Sequence, residues 1–366
     1  MIRIGIDARL LHYRPRGGTS TYIRALGAAL ASAPEPSQTV TVFQHFRDRE
    51  PAVPGLPRAA LYTPCHHRLE RSALSLELAR HRLDVFHSPD FIPPHRGARR
   101  HVITIHDLAF LIYPETLTAD SRRYYNAQIH AAAHHADHIL AVSESTKRDI
   151  IENLNMDSHK ITVQPHGVDP AFRPASPEAV AAVRARFSLP ETYLLFVSTF
   201  EPRKNIDGLL TAYEDLRALL PDAPPLVMVG TPGWLIDATL ARMQRTPGVI
   251  IRQDVDHAAL PAVYSGAAAL VMPAFYEGFG MPVLEAMACG TLPIVSDVSS
   301  LPEIAGDVGL RVDPHRMESI THALLLALTM DSDWQARQRQ AALERAAGFT
   351  WTRSAAIARQ VYEAVA

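Results

Sequence analysis

Short runs rich in Val, Ile and Leu alternate along this chain with longer segments whose apolar residues recur at helical spacing, as buried strands and crossover helices do in a parallel α/β sheet. The strand candidates in the first half are residues 2–6, 39–43, 85–87, 102–105, 139–142 and 161–164. In the second half they are residues 193–197, 226–229, 249–252, 270–272, 293–295 and 310–312. Each half therefore predicts its own sheet. Between them, residues 169–177 read Asp-Pro-Ala-Phe-Arg-Pro-Ala-Ser-Pro, a proline density that no long regular element tolerates. The expected organisation is an N-terminal Rossmann-like domain over 1–170 and a C-terminal Rossmann-like domain over 171–350. Terminal helices follow outside the second sheet, the last of which, 351–366, packs back toward the N-terminal domain.

Composition narrows this α/β reading without redirecting it. The 366 residues are 47% hydrophobic and 20% charged, ordinary for two or three globular domains. A net charge of -2 argues against a nucleic-acid partner held by global electrostatics. Cys65 and Cys289 form no CxxC or Cys/His cluster, so no disulfide framework or zinc site is expected and a reducing, cytoplasmic location is. The first residues, Met-Ile-Arg-Ile-Gly-Ile-Asp, read as a strand rather than a signal segment. No apolar stretch approaches the roughly 20 residues of a membrane span. Residues 1–170 carry 20 Lys+Arg against 17 Asp+Glu, and residues 171–366 carry 16 against 21. The first half is the more basic, with Arg96, Arg99 and Arg100 in one cluster and His66, His67, Arg68 and Arg71 in another. Peripheral contact with anionic head groups on the inner face of a membrane is the membrane role this leaves open, against plain solvated charge.

Two segments of the second half carry the chemistry. Residues 273–290, Pro-Ala-Phe-Tyr-Glu-Gly-Phe-Gly-Met-Pro-Val-Leu-Glu-Ala-Met-Ala-Cys-Gly, follow a strand and open a helix, where open α/β sheets bind ligands. Gly278 and Gly280 allow close backbone approach, and the helix starting near Met281 aims free N–H groups at an anion. Glu277 and Glu285 flank that place; a carboxylate beside a phosphate repels it, so both are expected to accept from hydroxyls. Residues 196–205, Phe-Val-Ser-Thr-Phe-Glu-Pro-Arg-Lys-Asn, likewise lie between a strand and a helix. Arg203 and Lys204 there suit a diphosphate, since one ion pair near 4 Å is worth about 4 kcal/mol at an effective dielectric of 20. In the first half, His106-Asp107 ends a strand, with Asp107 expected to orient the imidazole. The run Arg14-Pro15-Arg16-Gly17-Gly18-Thr19-Ser20 between the first strand and a helix suits a turn and a close ligand approach. His134, His135 and His138 lack a carboxylate or Cys at ligand spacing, so no metal site is expected.

The pair Glu277 and Glu285 resembles the Glu-x7-Glu motif of retaining glycosyltransferases of the GT-B fold, family four. Gly17-Gly18, His106-Asp107, Ser143 with Ser145-Thr146, His166-Gly167-Val168-Asp169 and Glu201-Pro202-Arg203-Lys204-Asn205 stand in that family's order. The resemblance implies two Rossmann-like domains facing a cleft, with a nucleotide-sugar donor and a glycan or lipid-linked glycan acceptor. It assigns His106 and Glu277 to the transferred sugar, Glu285 to the ribose, and Arg203 and Lys204 to the departing diphosphate. Gly17, Gly18, Ser198, Gly278, Phe279 and Gly280 complete the donor contacts; Ser198 stands where many relatives have Gly. No metal and no cofactor are implied, since no Asp-x-Asp motif precedes a likely metal site. The form of the cation motif is most similar to mannosyltransferases of polysaccharide and lipopolysaccharide assembly, implying GDP-mannose, with UDP-glucose and UDP-N-acetylglucosamine as alternatives. A nucleotide-sugar 2-epimerase on the same fold needs no acceptor, and a binding protein without turnover is the non-enzyme rival. A nicotinamide dehydrogenase is disfavoured because no GxGxxG follows the first strand.

Overall fold

The computed structural model describes residues 1–14, 17–67 and 69–366, except the side chain of Ser121. Two parallel sheets organise the chain, their central strands largely apolar on both faces, as parallel strands covered by helices on both sides are. Strands β1 (Ile2–Asp7), β2 (Gln38–His45), β3 (Arg58–Leu61), β4 (Leu83–Ser88), β5 (Ala98–Ile105), β6 (His138–Ala141) and β7 (Ile161–Val163) form the first. Its order is β3-β2-β1-β4-β5-β6-β7. Strands β8 (Leu194–Val197), β9 (Leu226–Val229), β10 (Val249–Arg252), β11 (Ala269–Met272), β12 (Leu292–Ser296) and β13 (Leu310–Val312) form the second, in the order β10-β9-β8-β11-β12-β13. The edge strand β3 was not among the sequence-predicted ones.

In both sheets the chain runs outward on one side of a central strand and then returns to build the other side. The reversal lies between β1 and β4 in the first sheet and between β8 and β11 in the second. Ligands bind outside the carboxyl ends of strands at such reversals, so each sheet marks one place to search.

Residues 1–111, 120–167 and 350–366 form one compact unit, and residues 112–119 and 168–349 form the other. The last helix, Trp351–Val365, belongs to the first unit: Ala355, Ala358, Val361 and Tyr362 join the cluster around Ile4, Leu26 and Val85. Full burial of Val361 alone is worth about 1.5–3 kcal/mol. Polar contacts fix its seat, with Arg359 Nη2 donating to the carbonyls of Leu30 at 2.8 Å and Ala33 at 2.7 Å. Gly167 has to be glycine at this crossing, because a Cβ there would lie 2.1 Å from the Trp351 nitrogen. Residues 112–119 belong to the second unit, where the Tyr113 ring lies 5.8 Å from Tyr276 and the Thr116 carbonyl accepts from Trp234 Nε1 at 2.6 Å. Among the described residues no helix is long and apolar enough to cross a membrane.

Candidate active site

The loop after β8 is short and tightly held. Pro202 opens the 3-10 turn Pro202–Lys204, and Asn205 adopts a left-handed φ of 56° to start the helix Ile206–Leu219. The Asn205 amide donates to the carbonyls of Pro273 at 3.0 Å and Pro314 at 2.8 Å, tying the loop to the one after β11. The Phe275 N–H donates to the Arg203 carbonyl at 2.9 Å. Neighbouring loops at the β8–β11 reversal are thereby locked together before any side chain acts.

That frame joins the cations to a carboxylate. Lys204 Nζ donates to Glu277 Oε1, and Arg203 Nη1 donates to Glu277 Oε2 at 3.2 Å and to the Tyr276 carbonyl at 2.9 Å. Arg203 Nε donates to Glu201 Oε2 at 3.1 Å. Glu277 and Lys204 are each 7% exposed. Burial alone drives the Glu277 carboxyl up, but Lys204 and Arg203 outweigh it and hold the group below its ordinary range. Burial and then Arg203 lower the Lys204 ammonium. The Glu277 backbone is pinned as well: its N–H donates to Ser299 Oγ at 3.0 Å, and Ser300 Oγ donates to its carbonyl at 2.8 Å. Ser299, like Asn205, holds a positive φ of 56°, and backbone strain of this kind persists where surrounding contacts over-determine it. The sequence predicted two cations for a diphosphate and a Glu aimed at hydroxyls. The structure joins Glu277 to both of those cations, and Glu201 completes a cluster of four formal charges that cancel.

One helical turn further, Gly280 (φ 100°) starts the helix Met281–Ala288. A Cβ on Gly280 would lie 2.7 Å from Leu301 Cδ2. Phe279 is 5% exposed, its ring 6.1 Å from that of Phe349, so its side chain packs in the interior. Ser198 follows β8, its N–H bonded to the Val229 carbonyl at 3.1 Å. A Cβ on Gly230 would meet the Ser198 carbonyl at 1.7 Å, a constraint the sequence pattern did not reveal.

Glu285 accepts from the Tyr264 hydroxyl at 2.8 Å. Burial, the largest influence, pushes its carboxyl up to about 7; the Tyr264 bond opposes this and Asp169 adds to it. The folded protein thus holds this proton more tightly than the unfolded chain. Its contribution to stability is complete below the ordinary carboxyl value of 4.5 and is lost as pH rises through about 7. Glu285→Gln is expected to flatten the fall of Tm between pH 5 and pH 8 and to raise Tm at pH 8. Melting curves across that range test it, and equal slopes in variant and parent contradict it.

In the first unit, His106 follows β5. Its Nε2 meets the Pro89 carbonyl at 2.9 Å and must donate there, because a carbonyl only accepts. Burial lowers the imidazole, keeping it neutral, against the Pro89 bond and Asp90. Asp107 does not orient this ring as predicted: its Oδ1 accepts from the Ala109 N–H at 3.0 Å, capping the turn Ala109–Ile112. Gly17 (φ 121°) precedes the helix Gly18–Ser32, and among the described residues a Cβ on Gly17 or Gly18 would meet nothing within 4 Å. At Gly17 it is the positive φ, rather than packing among the described residues, that calls for glycine. Pro15 and Arg16 of that loop, and Arg68 of the basic clusters, lie outside the described residues. Arg99 and Arg100 are exposed and face Asp84 at 3.6 Å and Asp137 at 2.9 Å, which offsets part of the basic surface. Among the described residues no group of three or more His, Cys, Asp or Glu is placed to hold a metal ion.

Comparison with known proteins matches this arrangement to a family. Residues 183–345 match Glycosyl transferases group 1, and residues 16–172 match Glycosyltransferase Family 4. O-antigen chain mannosyltransferase B of Escherichia coli is 35% identical over 271 residues, 73% of this chain and 71% of the relative. Serotype-specific mannosyltransferase WbdA of Escherichia coli is 30% identical over 276 residues, 73% of this chain but 34% of that longer protein. Sucrose-phosphate synthase from Thermosynechococcus elongatus has a similar fold, with a TM-score of 0.78 at 22% identity over 100% of this chain and 99% of its own. With two parallel-sheet units of the GT-B kind and relatives that are mannosyltransferases, the chain belongs to the group 1, family four glycosyltransferases and is a hexosyltransferase.

Proposed function

We propose that the protein transfers mannose from GDP-mannose to a glycan or lipid-linked glycan, with retention of anomeric configuration and without a metal or cofactor. The observation that carries this is the buried cluster of Arg203, Lys204 and Glu277 at the β8–β11 reversal, beside relatives named as mannosyltransferases. Arg203 and Lys204 take the diphosphate and stabilise its charge as the bond to the anomeric carbon breaks. Glu277 and His106 are assigned to the hydroxyls of the transferred sugar, and Glu285 to the ribose. The acceptor hydroxyl bonds to the anomeric carbon on the face the phosphate leaves, and the departing phosphate oxygen takes its proton. This needs no carboxylate nucleophile, unlike the paired carboxylates of most glycosidases. Peripheral residence at a membrane's cytoplasmic face belongs to the same proposal.

The test is incubation with GDP-mannose, UDP-glucose or UDP-N-acetylglucosamine in EDTA, with and without mannoside acceptors, followed by NMR of the products. GDP release coupled to a new α-mannoside is expected. Conversion of a sugar nucleotide to its epimer without acceptor favours the epimerase reading. A β-linked product overturns retention.

A further inference from the structure

Residues 112–119 belong to the second unit although the chain on either side of them belongs to the first, and two contacts hold them there. We infer that this segment is a strap that positions Arg203, with Tyr113 and Trp234 as positioning residues for the diphosphate end of the donor. The inference rests on the assignment of Arg203 to the diphosphate and adds what aims its guanidinium.

The strap is stiff because its two anchor points are locked to each other. Pro114 opens the 3-10 turn Pro114–Thr116 with its ring-fixed φ. Both the N–H and the hydroxyl of Thr116 donate to the Tyr113 carbonyl, at 3.0 and 2.7 Å, so Tyr113 cannot shift without Thr116. At one anchor the Thr116 carbonyl accepts from Trp234 Nε1 at 2.6 Å. At the other the Tyr113 ring lies 5.8 Å from that of Tyr276, at an interplanar angle of 42°.

Each anchor leads into the cation cluster by its own route. Trp234 lies in the loop after β9, which is laced to the loop after β8: the Phe200 N–H donates to the Thr231 carbonyl at 2.9 Å, and the Gly233 N–H to the Phe200 carbonyl at 2.9 Å. A Cβ on Gly233 would lie 2.8 Å from that carbonyl and 3.1 Å from Glu201 Cγ, so the loops touch beside the carboxylate that holds Arg203 Nε. Leu235, the residue after Trp234, holds φ 54°, a left-handed backbone that persists where neighbouring contacts over-determine it. Tyr276 reaches the cluster directly, since its carbonyl accepts from Arg203 Nη1 at 2.9 Å. That acceptor differs in kind from the carboxylates on the same guanidinium, Glu201 at 3.1 Å and Glu277 at 3.2 Å. An arriving diphosphate repels both carboxylates and competes with them for the cation, whereas a neutral carbonyl keeps its bond. Where the Tyr276 carbonyl sits thus decides where the guanidinium points once the diphosphate is bound, and Tyr113 packs on the side chain of that residue.

Titration calorimetry on the full chain tests this with inorganic pyrophosphate, a probe that asks only for the diphosphate seat. Trp234→Phe removes the indole N–H and Tyr113→Leu removes the ring. Each is expected to weaken pyrophosphate binding about threefold to tenfold, the usual range for one hydrogen bond or one aromatic pair, with Tm close to the parent's. Tyr113→Phe keeps the ring and is expected to bind as the parent does. In an Arg203→Ala background, Trp234→Phe and Tyr113→Leu are expected to cost less than about twofold, because the group they act through is gone. Undiminished losses in that background overturn the inference. So do parent-like affinities in Trp234→Phe and Tyr113→Leu, or a Tyr113→Phe as weak as Tyr113→Leu. GDP is titrated into the same samples: pyrophosphate binding without GDP binding strikes the donor assignment and leaves the strap standing.

Discussion

Lys204→Ala is expected to lower kcat/KM for the nucleotide-sugar by about 10²–10³-fold, the usual loss when one preorganised group facing a developing anion is removed. The ammonium is buried and fixed by Glu277, so it needs no reorientation as charge builds on the departing diphosphate. Removing it also leaves Glu277 to Arg203, at 3.2 Å, as its cation among the described residues. Breaking a buried pair outright costs about 3–5 kcal/mol, and the remaining guanidinium keeps the loss below that, so Tm falls while the chain stays folded. Lys204→Arg is not expected to restore the rate, since a planar guanidinium cannot occupy the ammonium's seat against Glu277. Steady-state kinetics with melting curves check both variants. Turnover within threefold of the parent would reduce Lys204 to a structural counter-ion.

Much of this arrangement was legible in the chain because its signals are local. Twelve of the strands announced themselves as short apolar runs, since a strand buried on both faces must be apolar throughout. The exception, Arg58–Leu61, is an edge strand whose four residues include one large apolar side chain, and its burial reflects that: only Leu61 is fully buried. Arg203, Lys204, Glu277 and Glu285 were found from the loops and helix starts at strand ends. What stayed hidden depends on groups distant in sequence. No pattern links Tyr264 to Glu285, or Gly230 to the Ser198 carbonyl, yet these contacts set a carboxyl's proton affinity and a loop's shape. The membership of residues 112–119 in the second unit is of the same kind, resting on Tyr113 against Tyr276 and Thr116 on Trp234. Glu201 was in plain view within its motif, but its role shows only once Arg203 is seen to share it with Glu277.

That sharing yields the second large effect. Glu201 and Glu277 cancel the charges of Arg203 and Lys204, so the cluster is neutral overall and a diphosphate must compete with Glu277 for both cations. Glu277→Gln keeps the shape and removes one negative charge. The variant is therefore expected to bind the nucleoside diphosphate more tightly, by about tenfold if some 1.4 kcal/mol of screened repulsion is relieved. Its kcat is expected to fall about 10²-fold, because the lost carboxylate is the group assigned to the transferred sugar's hydroxyls, and tighter hold on the leaving group slows product release. Lys204→Ala shifts the cluster charge the other way and should weaken nucleoside diphosphate binding. Titration calorimetry with GDP and UDP separates these directions from a general loss of structure, which weakens binding in both variants. If Glu277→Gln bound the diphosphate more weakly than the parent, Glu277 would be a scaffold that holds Arg203 and Lys204 in place rather than their competitor, and its catalytic assignment would fall with that result.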